Sequence, residues 1–91
     1  MSVRDTISLK LKENFPDALI EVIDESHLHA GHASAPEGGQ SHFRVHIVSE
    51  KFQGQSRVAR QRMVNAILRQ ELAGRVHALA MKTMTPAEAA V

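Results

Sequence analysis

The chain has 91 residues, which is enough for one compact domain but too few to enclose a large active-site cavity. It contains no cysteine, so it can form no disulfide and can supply no thiolate. The first residues carry charges, and no later stretch approaches the roughly 18 apolar residues of a membrane span. We therefore expect a cytoplasmic protein that does not enter a membrane.

The formal net charge of +1 hides an asymmetry between the two halves. Residues 1–50 hold four basic and eight acidic side chains, a net charge of −4. Residues 51–91 hold seven basic and two acidic side chains, a net charge of +5. A cationic half can attract phosphate backbones or acidic protein surfaces, but it is equally typical of a solvated helix face.

The N-terminal segment has the pattern of an amphipathic helix. Apolar residues recur every four positions, at Val3, Ile7, Leu11 and Phe15. Ser2 followed by Asp5 has the spacing of a capping box, and Pro16 is incompatible with continuation of a helix. The spacing predicts a helix over residues 3–14.

Two strands follow, separated by a long segment rich in histidine. Residues 18–26 are rich in β-branched side chains, and residues 41–49 alternate apolar Phe43, Val45 and Ile47 with polar side chains, as in a half-exposed strand. The connection at about 26–41 is far longer than a hairpin turn. Loops of this length in a compact domain are usually functional or disordered.

The second half predicts a main helix over residues 56–73. Its apolar face consists of Val58, Val64, Ile67, Leu68 and Leu72. Gly74 follows at the position expected for the glycine that ends a helix.

The chain then predicts a third strand over residues 76–84 and a short last helix. Thr85, Pro86 and Glu88 suit the N-cap, first and third positions of that helix. The element order α-β-β-α-β-α predicts a small α+β fold in which helices cover a three-stranded sheet. We expect one domain over residues 1–91.

Four strings together resemble the BolA family over about residues 2–88: VIDESHLH, SHFRVHIVSEKFQG, SRVARQRMV and VHALAMKTMTPAE. The combination is specific, because the strings give E-S-x-x-H, S-H-F-x-V, F-x-G and V-H-A-L in this order. The resemblance implies a fold similar to a class II KH domain. It agrees with the element order predicted from periodicity.

The resemblance also implies a function. BolA-like proteins pair with monothiol glutaredoxins and share a 2Fe-2S cluster in iron sensing or cluster delivery. The partner supplies cysteine and glutathione thiolates, and the BolA-like chain supplies a histidine on its last strand and a loop residue. Here the matching positions are His77 in V-H-A-L and His29 in E-S-x-x-H.

The chemistry of a cysteine-free chain is compatible with this assignment. Neutral imidazole replaces thiolate on one iron of Rieske-type clusters, and such ligation depends on pH. His32 and His27 remain alternatives to His29, because all three lie close together in the sequence. The string H-L-H-A-G-H could also hold zinc or copper unaided, although a Gly-rich loop offers no preset geometry. His42 lies on the polar side of its predicted strand, which favours a structural or interface role.

The basic helix supports a second hypothesis, a DNA-binding regulator of growth, stress response or cell shape. Its candidate contacts to phosphate or to an acidic partner are Lys51, Arg57, Arg60 and Arg62. The chain lacks the G-x-x-G loop of nucleic-acid-binding KH domains and has three phenylalanines but no tryptophan or tyrosine for stacking.

Catalysis is the least supported class. The chain contains no nucleophile-elbow, Walker or dinucleotide-binding motif. We therefore expect a non-enzymatic adaptor that binds a glutaredoxin and takes no small-molecule substrate. We also expect the isolated chain to hold no cofactor.

Overall fold

A computed structural model describes residues 2–25, 42–74, 76 and 78–90. Its elements in chain order are α1 (Val3–Asn14), β1 (Leu19–Asp24), β2 (His42–Val48), a 3-10 helix (Glu50–Phe52), α2 (Arg57–Ile67), α3 (Arg69–Ala73), β3 (Ala78–Met84) and α4 (Pro86–Ala89). The predicted α+β class and element order are confirmed, with the main helix divided in two. The predicted loop at about 26–41 lies outside the described residues.

Both predicted capping boxes are present. The Asp5 N–H donates to the Ser2 hydroxyl, and the Asp5 carboxylate accepts from the Ser2 N–H, so α1 begins where the sequence predicts. The hydrogen bond from the Ser2 backbone lowers the pKa of Asp5. Thr85 and Glu88 form the equivalent box at the start of α4, with Pro86 in its first turn. These short-range hydrogen bonds fix where the two terminal helices begin.

The three strands form one sheet in the order β1-β2-β3. β1 pairs antiparallel with β2, and β2 pairs parallel with β3. Val45 lies opposite Val22 on one side and Met81 on the other. The central strand β2 therefore has a neighbour on both sides, whereas β1 and β3 lie at the two ends of the sheet.

One face of the sheet forms the core with the helices. The predicted alternation in β2 is confirmed, because Phe43, Val45 and Ile47 are at most 1% exposed while Arg44 between them is exposed. Side chains from α1, the 3-10 helix, α2 and the turns pack against this face. The remaining buried apolar residues of the core are Ile7, Leu11, Phe15, Val22, Phe52, Val64, Leu68 and Val76. The polar face of β2, with His42, Arg44 and His46, lies on the other side.

The prediction of one continuous helix over residues 56–73 is wrong. Leu68, with φ −100° and ψ 19°, separates α2 from α3 while its side chain stays buried. Beyond Leu68, α3 contacts α1, where the Lys10 ammonium lies 2.8 Å from a Glu71 carboxylate oxygen. This tie joins elements 61 residues apart in sequence, so the local apolar pattern could not predict it.

Two details at the ends of the main helix also differ from prediction. Val58 is 55% exposed and not part of the buried face, because it lies in the first turn, ahead of the point at which α2 meets the core at Val64. Gly74 is the C-cap residue of α3 with φ −109°, so it does not adopt the left-handed conformation expected of a C′ glycine. The positive φ of 77° belongs to Gly54, in the turn before α2.

Two strands begin slightly later in the sequence than predicted. β1 begins at Leu19 and β3 at Ala78, and the buried Val76 joins the core from outside the strand. Among the residues that the structure describes, no helix is long and apolar enough to cross a membrane. The strands of the sheet and the turns at their ends position the candidate site.

Candidate functional site

The described residues that flank the histidine-rich segment, Glu25 and His42, lie at the same end of the sheet as the start of β3. The Glu25 N–H, at the end of β1, donates to the carbonyl of His42 at 2.8 Å. His42 in turn pairs in register with Ala78, the first residue of β3. Glu25 is the last described residue before the histidine-rich segment, His42 is the first after it, and β3 begins one residue after His77. One end of the sheet holds all three points.

The predicted metal ligands themselves lie outside the described residues. This applies to His77, to His29 and to the alternatives His32 and His27. In ranges 2–25, 42–74 and 78–90, no three histidine or carboxylate side chains are grouped as a metal site. The ligand assignment therefore stays a prediction.

The ligand atoms available in this chain determine which kind of metal group it can help to bind. Without cysteine it offers imidazole nitrogens and carboxylate oxygens, whereas iron-sulfur clusters are held mainly by thiolates. Residues of this chain fit such a cluster as ligands to one iron, with thiolates from another molecule on the second iron. They do not fit a cluster held by this chain alone.

Contacts between acidic side chains and Arg44 or His46 lie on the polar face of the sheet. The Arg44 Nε lies 3.2 Å from a Glu25 carboxylate oxygen, and His46 Nδ1 lies 3.4 Å from a Glu21 oxygen. His42 lies on the same side, at the strand end nearest the histidine-rich segment. These contacts place Glu25 in a pair with arginine, next to the candidate site.

Two of the four predicted basic contact residues are held by their own chain. Arg60 donates from Nε to the Gln55 carbonyl at 2.9 Å, and from Nη1 to the Thr83 carbonyl at 3.1 Å and to Glu88 at 2.7 Å. Its side chain is 11% exposed. We call this set of contacts the Arg60 clamp.

The Arg60 clamp lowers the pKa of the Glu88 carboxyl group. The hydrogen bond from the Arg60 guanidinium, followed by one from the Thr85 backbone, lowers the pKa of Glu88 to about 2. The sequence indicates Glu88 as a capping residue but not as the partner of an arginine 28 positions away. No local spacing signals this contact.

Lys51 is the second basic residue with contacts inside the chain. Its ammonium donates to the Asn14 carbonyl at 2.6 Å and lies 5.8 Å from the centre of the Phe15 ring. Nearby, the Asp17 carboxylate accepts from the Ser49 hydroxyl and the Glu50 N–H. These contacts join the end of α1 to the turn after β2.

Arg57 and Arg62 differ from these two residues. Both are exposed on α2, whereas Arg60 is largely buried and the exposed Lys51 is hydrogen-bonded to Asn14. The basic surface that can meet a partner is therefore smaller than the sequence suggests, and it is centred on Arg57 and Arg62.

Fold and sequence define the class of protein: an α+β domain with a three-stranded sheet, similar to BolA domains. The BolA domain of SufE1 from Arabidopsis thaliana has a TM-score of 0.85 and 40% sequence identity, with 97% of this chain and 96% of that chain covered.

The sequence matches the BolA-like protein family over residues 11–88, and the chain belongs to that family. The DNA-binding transcriptional regulator BolA of Vibrio cholerae is 44% identical over 94% of this chain and 77% of that protein. Human BolA-like protein 1 is 44% identical over 94% of this chain and 60% of that protein. These relatives are named as regulators or BolA-like proteins rather than enzymes.

Proposed function

We propose that this protein is a non-enzymatic adaptor that binds a monothiol glutaredoxin and helps to hold a bridging 2Fe-2S cluster. His77 is the proposed ligand from the start of the last strand, and His29 is the proposed ligand from the histidine-rich segment. The observation that carries the proposal is the register between His42 and Ala78 together with the Glu25–His42 hydrogen bond. It places Glu25 and His42, which flank that segment, at the same end of the sheet as Ala78, which follows His77.

The chemistry of the chain supports shared rather than independent ligation. Imidazole is the nitrogen ligand that a cysteine-free chain can offer to a cluster, and it must be deprotonated to bind. The remaining thiolates come from the cysteine of the glutaredoxin and from glutathione, in this proposal. A cluster bound at the meeting point of two proteins would stabilise their complex by mass action.

The test is to mix the chain with a cluster-loaded monothiol glutaredoxin from the same cell. Visible absorption and circular dichroism spectra are recorded before and after gel filtration. We expect a changed spectrum that elutes with a heterodimer and returns to the glutaredoxin pattern with His77→Ala. His46→Ala is the matched control, because His46 lies on the polar face beside Glu21.

Three further variants identify the ligand in the loop. His29→Ala should act like His77→Ala, whereas His32→Ala and His27→Ala should leave the spectrum unchanged. A silent His29→Ala with an active His32→Ala would move the assignment to His32 and leave the shared cluster intact. A failure of both apo and loaded glutaredoxin to form a complex would overturn the adaptor function.

A second candidate function is DNA binding, which the name of the Vibrio cholerae relative favours. The exposed Arg57 and Arg62 are the residues we expect to contact phosphate. Arg60→Ala would be an ambiguous test, because this substitution also opens the Arg60 clamp. Duplex binding by the isolated protein that weakens with salt and with Arg57→Ala and Arg62→Ala would favour this function.

A further inference from the structure

The strand β3 lies at the end of the sheet, and the direction of its backbone groups can be assigned. The Ser49 N–H donates to the Met84 carbonyl at 2.9 Å, so the backbone of Met84 faces β2. Backbone groups alternate in direction along a strand. Lys82 and Ala80 therefore face β2 as well, whereas Thr83, Met81 and Leu79 point to the outer edge.

Part of this outer edge is already closed. The Thr83 carbonyl accepts from Arg60 at 3.1 Å, which also shows that residue 83 points outward. Across the described ranges, no strand lies beyond β3. The Thr83 N–H and both backbone groups of Met81 thus lie along an edge that could pair with an additional strand.

A cleft of about 460 Å³ runs along this edge. Residues 81–84 of β3 line one side, and Arg57 and Gln61 of α2 line the other. The Arg60–Glu88 pair lies at the cleft as well. The wall thus offers hydrogen-bonding strand backbone on one side and long polar side chains on the other.

The charges around the cleft are predominantly positive. Arg60 is paired with Glu88 at 2.7 Å, so these two charges largely cancel. Arg57 and Lys82 are exposed and also line the cleft. An occupant that carries carboxylates would complement this charge.

We propose that the outer edge of β3 binds an extended acidic segment of a partner protein as a fourth strand. The segment pairs with the backbone of Leu79, Met81 and Thr83. Its carboxylates accept hydrogen bonds from Arg57 and Lys82. Strand addition of this kind takes affinity from main-chain hydrogen bonds and specificity from alternate side chains.

A second copy of this chain is a poorer occupant for the same edge. Antiparallel pairing of two β3 strands would bring Arg57 and Lys82 of one copy near the same residues of the other. Like charges across a strand pair are destabilising. The charge of the cleft therefore favours an acidic partner over self-association.

This interface involves no metal, and its cleft is lined by residues 81–84, towards the end of β3 opposite the adaptor site. It can be tested with the apo protein labelled with ¹⁵N. The probe is a short synthetic peptide in which glutamate alternates with valine, and the control peptide has lysine in place of glutamate. Amide hydrogen exchange is measured residue by residue, with and without each peptide.

Strand addition has an alternating signature. The acidic peptide should slow exchange at Leu79, Met81 and Thr83, whose N–H groups point outward, and leave Ala80 and Lys82 unchanged. The lysine peptide should change none of them. Lys82→Glu and Arg57→Glu should each weaken binding by about tenfold or more.

Lys12→Glu serves as the control, because Lys12 is an exposed lysine on α1. It should bind the acidic peptide as the wild type does. Equal weakening by Lys12→Glu would show non-specific attraction and overturn the proposal. Chemical-shift changes near Arg57 without slowed exchange at Met81 would equally overturn it, as would protection of these amides by duplex DNA and not by the peptide.

Discussion

The two ends of β3 are held in different ways. At its C-terminal end the Arg60 clamp joins Thr83, Glu88 and Gln55, and the Ser49 N–H bonds to Met84. At its N-terminal end the exposed Ala78 pairs with His42, the first described residue after the histidine-rich segment. One end is fixed by the side chains of Arg60 on α2 and Glu88 on α4, while the other follows the proposed ligand His77 in the sequence.

This difference suggests a division of roles within one strand. A ligand at the start of β3 needs a fixed backbone, and the clamp at the other end helps to fix the strand against α2 and α4. The side chains of Arg60 and Glu88 thus help to fix the C-terminal end of β3. The following predictions begin with the change that should disturb the clamped end most.

Removal of the Phe52 ring should cause the largest loss. Phe52 is 0% exposed, its ring centre lies 5.1 Å from that of Phe15, and Arg60 lies over it at 5.7 Å. Phe52→Ala should lower the free energy of unfolding by about 3–5 kcal/mol, measured by urea denaturation. Leu19→Ala, at a site 74% exposed, is the control and should cost less than about 0.5 kcal/mol. Similar losses for both would contradict this account of the core.

Removal of the Arg60 side chain should lower the free energy of unfolding by less than removal of the Phe52 ring. Arg60→Ala leaves the Thr83 and Gln55 carbonyls without their guanidinium donor and should destabilise the fold by roughly 1–3 kcal/mol. Arg57→Ala, a change at an exposed arginine one turn earlier, should cost less than about 0.5 kcal/mol. Equal losses in urea denaturation would show that Arg60 is no more structural than Arg57.

The clamp should also give stability a dependence on acid pH. The pKa of Glu88 is about 2 in the folded protein, below its ordinary value of 4.5. The unfolded chain therefore binds a proton first as pH falls, so the Glu88 contribution is fully present above about pH 5 and is lost towards about pH 2.

Glu88→Gln provides the reference for this effect, since the pH response of Asp5 is common to both proteins. The stability advantage of the wild type over the variant should shrink as pH falls through this window. Urea denaturation at a series of pH values measures it. A constant difference across the window would show that the Glu88 carboxylate gains nothing from Arg60.

Val58→Ala should have the smallest effect. The side chain is 55% exposed, so its truncation should change the free energy of unfolding by less than about 0.5 kcal/mol. Val64→Ala, at a fully buried site of the same helix, should cost roughly 2 kcal/mol. Equal costs would restore the single buried helix face that the sequence predicts.

Local signals explain which elements could be predicted from the sequence. The capping boxes at Ser2 and Thr85 depend on residues three positions apart, and the alternation in β2 depends on a period of two. Both patterns are complete within a few residues. The corresponding boundaries and the buried face of β2 were therefore predicted correctly.

The missed features depend on contacts between distant segments. The break at Leu68 accompanies the tie between Lys10 and Glu71, and the burial of Arg60 depends on Thr83 and Glu88. Side chains that look like phosphate contacts in the sequence can thus be structural in the fold. At the candidate site, the structure shows that Glu25, His42 and Ala78 lie at the same end of the sheet. His77 and His29 remain predicted ligands.

The most direct test of the adaptor function is to detect histidine nitrogen on the cluster. This chain is labelled with ¹⁵N-histidine, combined with unlabelled cluster-loaded glutaredoxin, and the reduced complex is studied by pulsed electron paramagnetic resonance. We expect ¹⁵N couplings to the cluster, with one lost in His77→Ala and none lost in His46→Ala. A stable complex whose cluster shows no ¹⁵N coupling would contradict ligation by this chain.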